Sequence, residues 1–353
     1  LNKLLISASL GLISLNLNAA NRIILSLTSD SFTDVIPIKQ LYRDEWQQKP
    51  DQDAKRAYSN NQVSLTFRHG HWSFAAGHYI QLAANASEDT LLALWQEAQS
   101  RPFDTGRSYQ LALELHQLNA NFATLGYQLE FNKGYIRPNI SFWQATRMRK
   151  TQLTGHVSVN DAQKINGFVA FSESYTDNNL LKRPYQNWQQ KGKGWSLGFS
   201  AQYKWSNLYS LQVDAENLFS SIHFKNTGDS GGEIKTEGRY ISELGLANIT
   251  PLFRGWERNT DKKLRLAYNL VSEFSADRFL LQHRYFAAHH RIYLGWQWQA
   301  VQYTAKAWFD PINLMPKVSL KTQVSEWTLG IDKLNPENAK QLNFSVKLLH
   351  SWF

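Results

Sequence analysis

The sequence predicts an all-β fold, a transmembrane antiparallel up-and-down β-barrel of about 14 strands (12 to 16) with one short helix in a loop. Three observations carry this. Between Gly194 and Ser206, Trp195, Leu197, Phe199, Ala201, Tyr203 and Trp205 alternate with Ser196, Gly198, Ser200, Gln202, Lys204 and Ser206. Side chains alternate across a strand, so one face is aliphatic in its middle and aromatic at its ends. That is the profile of a tilted strand crossing lipid between two girdles, here Trp195 at one end and Tyr203 and Trp205 at the other. The pattern also recurs along the chain. Finally, the mean hydropathy is -0.45 and no later apolar run has helical membrane length, as expected where only half of each strand meets lipid.

Taken in order, Lys3, the apolar stretch Leu4 to Leu17 and the exit Asn18-Ala19-Ala20 have the charge, length and small residues of a secretory signal peptide over 1–20. Residues 21–61 hold a short β-like run, Arg22 to Thr28, then a helical stretch from Ile38 to Lys49 and a polar Pro50-Asp51-Gln52-Asp53 segment. They are expected to be an N-terminal leader, a plug or a first loop, with the barrel itself over 62–353. Val63 to Arg68 and Trp72 to Gln81 flank His69-Gly70 as a strand pair with a tight turn. Ser87 is an N-cap ahead of Glu88 and Asp89, and Leu91, Leu92, Leu94, Trp95 and Ala98 form the apolar stripe of the one clear helix, over 86–100.

Tyr109 to Leu115 and Ala123 to Phe131 alternate on either side of Asn119-Ala120-Asn121 and read as a hairpin. Leu264, Leu266, Tyr268 and Leu270 oppose Lys263, Arg265, Ala267 and Asn269, and Val318, Leu320 and Thr322 oppose Lys317, Ser319 and Lys321. Short breaks at Asn119–Asn121, Asn132–Gly134, Asp161–Gln163, Asn207 and Ser275–Asp277 are expected as periplasmic turns. Longer ones at 83–105, 177–193, 220–232 and 247–261 are expected as external loops. This scheme puts the 83–105 and 177–193 loops at opposite ends, so one strand is misplaced, between 132 and 176 or between 291 and 316.

The last strand runs Leu342, Phe344, Val346, Leu348, His350, Trp352, and the sequence ends on Phe353. In this ending and in its pattern over residues 60–353, the chain resembles the Gram-negative outer-membrane β-barrel superfamily, whose members commonly finish on a C-terminal phenylalanine. Phe353 falls on the parity of Lys347, and a bulge near His350 would restore the register. The resemblance implies a place in the cell outer membrane. It also implies Phe353 as the assembly signal read by the barrel-assembly machinery, and contact with outer-membrane lipid and lipopolysaccharide.

The chemistry is less defined. With no cysteine, disulfides, thiolate metal sites and cysteine nucleophiles are excluded. Lys+Arg number 38 against 29 Asp+Glu, a formal +9, and Lys204, Lys263, Arg265, Lys317, Lys321 and Lys347 fall on polar strand faces. Acids there are chiefly Glu114, Glu130 and Glu273. A lumen ringed by such cations would favour anionic solutes. No nucleic-acid motif is present, and the aromatics alternate with aliphatics instead of gathering on a basic surface.

Histidines group at His69, His71 and His78 and at His283, His289 and His290, the second group near Glu273, Ser275 and Asp277. No Gly-x-Ser-x-Gly accompanies them and His69-x-His71 supplies two ligands at most, so no catalytic, metal or cofactor site is assigned. Gly228-Asp229-Ser230-Gly231-Gly232 reads as a flexible loop without the acidic spacing of a calcium loop. Three functions fit: a porin-like channel for small, anionic solutes; an export or assembly component docking a periplasmic partner through 21–61; or an outer-membrane lipid hydrolase or acyltransferase.

Overall fold

The computed structural model describes residues 21–43, 45–160, 164–176, 191–236, 240–241, 247–248 and 252–352. The signal peptide expected at 1–20 and the assembly signal Phe353 lie outside these residues. Along the chain come β1 (Asn21–Thr33), α1 (Ile38–Arg43), β2 (Arg56–His69), β3 (Trp72–Ala86), α2 (Glu88–Ala98), β4 (Ser108–Tyr127), β5 (Leu129–Phe131) and β6 (Gly134–Val159). Next are β7 (Ile165–Tyr175), β8 (Gly192–Lys204), β9 (Tyr209–Lys235), β10 (Tyr240–Ile241), β11 (Ala247–Asn248), β12 (Leu252–Leu264), β13 (Asn269–Ala276) and β14 (Phe279–Phe286). The chain ends with β15 (His289–Gln299), β16 (Tyr303–Asp310), β17 (Met315–Thr322), β18 (Ser325–Ile331), a 3-10 turn (Pro336–Asn338) and β19 (Gln341–Trp352).

Strands β10 and β11 pair only with each other, and the others form one antiparallel sheet that closes where β1 pairs with both β2 and β19. Three wall positions hold two segments end to end: β4 with β5, β7 with β8 between β6 and β9, and β12 with β13 beside β9. The barrel is therefore 14 strands around. At the end holding Asn21 and Trp352, connections such as 70–71, 132–133, 277–278 and 323–324 are short. Gly70 takes φ 54 in the first of these, the left-handed value such a turn requires. The opposite end carries 34–55 with α1, 87–107 with α2 and 332–340 with the 3-10 turn, besides the two-residue turn Ala287-Ala288. Short turns mark the periplasmic end of such a barrel and long loops the external end.

The register shows how the wall crosses the membrane. One outward row of directly paired residues runs Trp298, Ala305, Leu320, Trp327, Val346, Leu27, Val63, all apolar. It continues His78, Asn121, Gln144, Lys193, His223, Lys263, all polar. Strands tilted by about 40° and spaced about 4.8 Å make such a row climb roughly 3 Å per strand. The row thus rises from the periplasmic girdle, through the lipid, and out past the external surface.

Several sequence expectations are corrected. The barrel begins at Asn21, not at residue 62: residues 21–61 comprise wall strand β1, the first external loop and the opening of β2. Asn119–Asn121 is no turn, because β4 runs unbroken from Ser108 to Tyr127, and this is the misplaced strand end that upset the count. The turn expected at Asp161–Gln163 lies outside the described residues, and the strand ends that flank it, Val159 of β6 and Ile165 of β7, pair at the external end. Residues 220–232 lie inside β9, where Asp229 is held by Ser174 Oγ at 2.8 Å, Lys262 Nζ at 2.8 Å and Arg258 Nε at 3.0 Å. β12 already starts at Leu252, and the register of β1 against β19 runs through His350 without a bulge.

Candidate functional site

Parity decides which side chains enter the lumen. The even residues of β8 do: Ser196 accepts a hydrogen bond from Trp143 Nε1 at 2.8 Å inside the barrel, whereas Trp195 and Leu197 are exposed outside. At the periplasmic end the inward faces enclose a polar vestibule of about 910 Å³ that reaches the turn residues Asn207 and Asp277. Its charges are only partly sorted by wall, since Lys204 on β8 adjoins the acids of β9 and Glu326 on β18 is paired with Lys321 and Lys347. Asp214, Glu216, Glu273 and Asp277 stand on β9, β13 and the turn after it; Lys306, Lys317, Lys321 and Lys347 stand on β16, β17 and β19. Lys306 pairs with Glu273, and Lys347 lies 3.6 Å from Glu326.

Beyond the vestibule the lumen is closed by side chains. On one side Tyr79, Leu118, Phe122, Trp143, Ile222 and Phe224 form a buried apolar cluster. Its Phe224 ring lies over Gly192, where an added Cβ would come within 2.6 Å of the ring, so glycine is what lets the ring settle there. On the other side Asp30 accepts a hydrogen bond from Arg291 and lies 3.3 Å from Arg284. β1 is not a neighbour of β14 or β15 in the wall, so this ion pair bridges the lumen. Phe32 stacks on His289 across the same gap, centroid to centroid 4.1 Å. Lys317 donates to Gln282 and lies 4.0 Å from the Tyr293 ring centroid and 4.4 Å from that of Trp308.

The structure divides the six cations singled out in the sequence. Lys204, Lys317, Lys321 and Lys347 line the vestibule. Lys263 and Arg265 do not: Leu266 is buried in the inner apolar cluster with Leu264 packed against it, so the residues alternating with them point outward. The 265–268 break between β12 and β13 shifts the parity, and an apolar inner face made the two faces look exchanged. The sequence reading does not assign the acids Asp30, Asp214, Glu216 and Glu326 and the cations Arg284, Arg291 and Lys306 to the lumen, although Arg284, Arg291, Lys306 and Glu326 alternate with Leu281, Ile292, Ala307 and Trp327 on their own strands.

The histidine groups make no catalytic arrangement. His283 and His290 hydrogen-bond to each other at 3.0 Å on the outer face, whereas Glu273, Ser275 and Asp277 line the vestibule. His69 Nδ1 pairs with Asn21 Oδ1 at 2.8 Å and His71 packs on Tyr127. Among the described residues no three potential ligands gather around a metal position.

The outer face settles the class. Tyr203 and Trp205 pack edge-on at 5.1 Å, Phe131 stacks on Tyr203 at 6.1 Å and Phe274 meets Trp205 at 6.3 Å, a run of rings at the periplasmic edge. Trp195, eight residues from Tyr203 on the same strand, marks the external edge, and Leu197 stands between them on the same face. At about 3.3 Å per residue and 40° tilt these edges are roughly 20 Å apart, close to the apolar band of such barrels. The chain is an outer-membrane β-barrel.

No family model and no curated relative matches it. Among solved structures it is similar to the P. putida toluene transporter TodX, with 10% identity and a TM-score of 0.38 over 95% of this chain and 89% of that one. It is also similar to the outer-membrane protease OmpT from Escherichia coli, with 9% identity and a TM-score of 0.25 over 96% and 99%. The ferric yersiniabactin uptake receptor FyuA from Yersinia pestis gives 9%, 0.18, 96% and 62%. Likenesses at this level transfer no activity.

Proposed function

We propose that the protein is an outer-membrane channel for small polar solutes, closed in this conformation by side chains bridging its lumen. The observation that carries the reading is the vestibule: about 910 Å³ of polar lumen, lined from the periplasmic turn residues Asn207 and Asp277 up to Asp30, Glu216 and Arg284. Such a volume has no structural use in a barrel that only anchors a partner. Anion preference, the finer expectation from sequence, is weakened by the lining, since Asp30, Asp214, Glu216, Glu273, Asp277 and Glu326 are interspersed with Lys204, Arg284, Lys306, Lys317, Lys321 and Lys347. Acids and cations interleaved around one lining orient dipolar solutes without choosing a net sign.

Planar-bilayer recording tests this. Wild-type channels should open rarely, and Phe224→Ala combined with Trp143→Ala should raise the open probability. Reversal potentials in a salt gradient should lie near zero, move toward anion selectivity in Asp214→Asn/Glu216→Gln and toward cation selectivity in Lys321→Gln/Lys347→Gln. Absence of conductance in both the wild type and the Phe224/Trp143 variant would refute a channel.

A further inference from the structure

Above the inner apolar cluster the long half of the wall continues outward from the cell, and its inner face carries an arrangement that neither the vestibule nor the cluster uses. Glu114 shares the parity of Leu118 and Phe122 on β4, so it points inward, thirteen residues from Tyr127 at the periplasmic edge. At about 3.3 Å per residue and 40° tilt that is roughly 33 Å, beyond an apolar band of about 25 Å. Strand pairing extends Glu114 into one inward row across six strands: Asn85, Glu114, Gln152, Ser172, Gly231, Trp256. Five strand spacings of about 4.8 Å make the row roughly 24 Å long.

The row floors an open groove of about 680 Å³. Beside it the inward positions are Ala112, Thr154 and Ala170, directly paired in turn, so the floor is low and the groove shallow. Trp256 supplies the one inward ring of the lining. Its indole lies over Gly231, where an added Cβ would come within 2.3 Å of Cζ2, so glycine is what lets the ring lie flat on the wall. The other face of the ring is open, and Trp256 is 44% exposed. An indole exposed to water inside a polar groove buries little area for the fold.

The chemistry of the groove narrows its ligand. An acyl chain or apolar peptide would need more apolar surface than one indole. A charged ligand would meet a single charged side chain, Glu114, already bonded to His116 Nε2 at 2.9 Å. Asn85, Gln152, Thr154 and Ser172 are neutral and offer both donors and acceptors. A pyranose matches that set, because its C–H face stacks on an indole while its hydroxyls donate to and accept from amides, hydroxyls and a carboxylate. The length of the row accommodates several such rings in line.

We propose that the groove from Trp256 to Asn85 binds a short neutral oligosaccharide at the cell exterior, with one ring stacked on Trp256 and the next bonded by Gln152 and Glu114. The site goes beyond the channel reading and does not depend on it, because the lumen is closed below the groove.

The experiment folds the full chain in micelles of an amine-oxide detergent, which brings no sugar of its own, and titrates it calorimetrically with cellotetraose, maltotetraose, tetragalacturonate and tetraglucosamine. A neutral tetrasaccharide should bind, and the acidic and basic ones should bind roughly tenfold more weakly or not at all. Trp256→Ala should lower the affinity roughly tenfold and Gln152→Ala roughly threefold, the scale of a lost ring contact and of a lost hydrogen bond. Trp256→Phe should restore part of the loss. Trp195→Ala, at a tryptophan as exposed as Trp256 but on the outer face, should leave binding unchanged. Folding of each variant is checked by the heat-modifiable band on a gel. In the wild type, saturation transfer from protein to bound sugar should concentrate on the C–H protons of one ring, a readout that needs no variant. Failure of both neutral sugars to bind, equal binding of a charged one, saturation spread evenly over all rings, or an affinity unmoved by Trp256→Ala would overturn the site.

Discussion

The two halves of this barrel use the same alternation for different ends. β6 and β9 run 26 and 27 residues, whereas β14 and β17 have eight and β18 seven. At about 3.3 Å per residue and 40° tilt, eight residues span roughly 20 Å, little more than the apolar band, while 26 span over 60 Å. The long half therefore stands well out of the external leaflet, and its outward face changes role on the way. On β4, Tyr127 and Leu125 face lipid, but Leu113, Leu111 and Tyr109, on the same parity, pack against Leu91, Leu92 and Trp95 of α2 and against Val35 and Ile36 of the first loop. An apolar face thus marks contact with something apolar. It does not say whether that is lipid or the protein's own cap.

The halves meet across the lumen at Asp30, and cutting that tie should have the largest effect on stability. Arg291 is 2% exposed, so Asp30→Leu strands a buried guanidinium and should cost about 3 to 5 kcal/mol. Adding Arg291→Met removes the stranded charge and should recover much of the loss. Urea midpoints in detergent micelles would measure both. A single variant as stable as the wild type would mean that the bridge is open to water and does not join the halves.

A matched pair of substitutions sharpens the contrast itself. Leu294 on β15 lies four residues from the girdle residue Trp298 and is 44% exposed; Ile234 near the external end of β9 is 40% exposed. Exposure alone treats them alike. Leu294→Arg should cost roughly 2 to 4 kcal/mol because it places a charge near the bilayer midplane, and Ile234→Arg about 0.5 kcal/mol or less because it already meets water. Equal costs in vesicle-embedded protein would erase the distinction between a half that only crosses and a half that projects.

That distinction also explains what the sequence let a reader see. Trp195 to Trp205, the His69-Gly70 turn and the helix after Ser87 were legible because each obeys a local rule: alternation, a turn glycine, an N-cap whose Oγ accepts from the Thr90 amide at 3.2 Å. β4 was cut in two because its outward face becomes polar where the row leaves the lipid, so Asn119 and Asn121 look like a turn while the ladder to β3 continues through them. Gly228 to Gly232 misled in the same way, at wall height where β9 no longer meets lipid. Alternation alone puts Lys263 and Arg265 in the lumen and Leu264 and Leu266 against lipid, and no local rule reveals that the interior holds its own apolar plug. The bridge from Asp30 to Arg284 and Arg291 joins residues more than 250 positions apart, beyond the reach of any spacing argument.

The smallest effect is expected at the external rim, where the first loop meets the short half. Lys39 of α1 is bonded to Glu337 in the 3-10 turn between β18 and β19. The Lys39 hydrogen bond and charge hold the Glu337 carboxyl below its ordinary 4.5. A carboxyl whose folded pKa is depressed contributes stability that is complete above the unfolded value and is lost as the pH falls through the folded one. The contact should therefore be fully formed at neutral pH and lost only below pH 4.5, and because the pair is exposed and screened by salt its contribution is minor. Hydrogen exchange of the 332–340 segment, compared between neutral and acidic pH, should show faster opening in acid for the wild type, with Glu337→Gln opening at the faster rate at both. If acid loosens the Glu337→Gln protein as much as the wild type, the rim is fastened elsewhere, for example by Lys340, which reaches Asp51 at 2.7 Å and the backbone carbonyl of Asp34 at 3.1 Å.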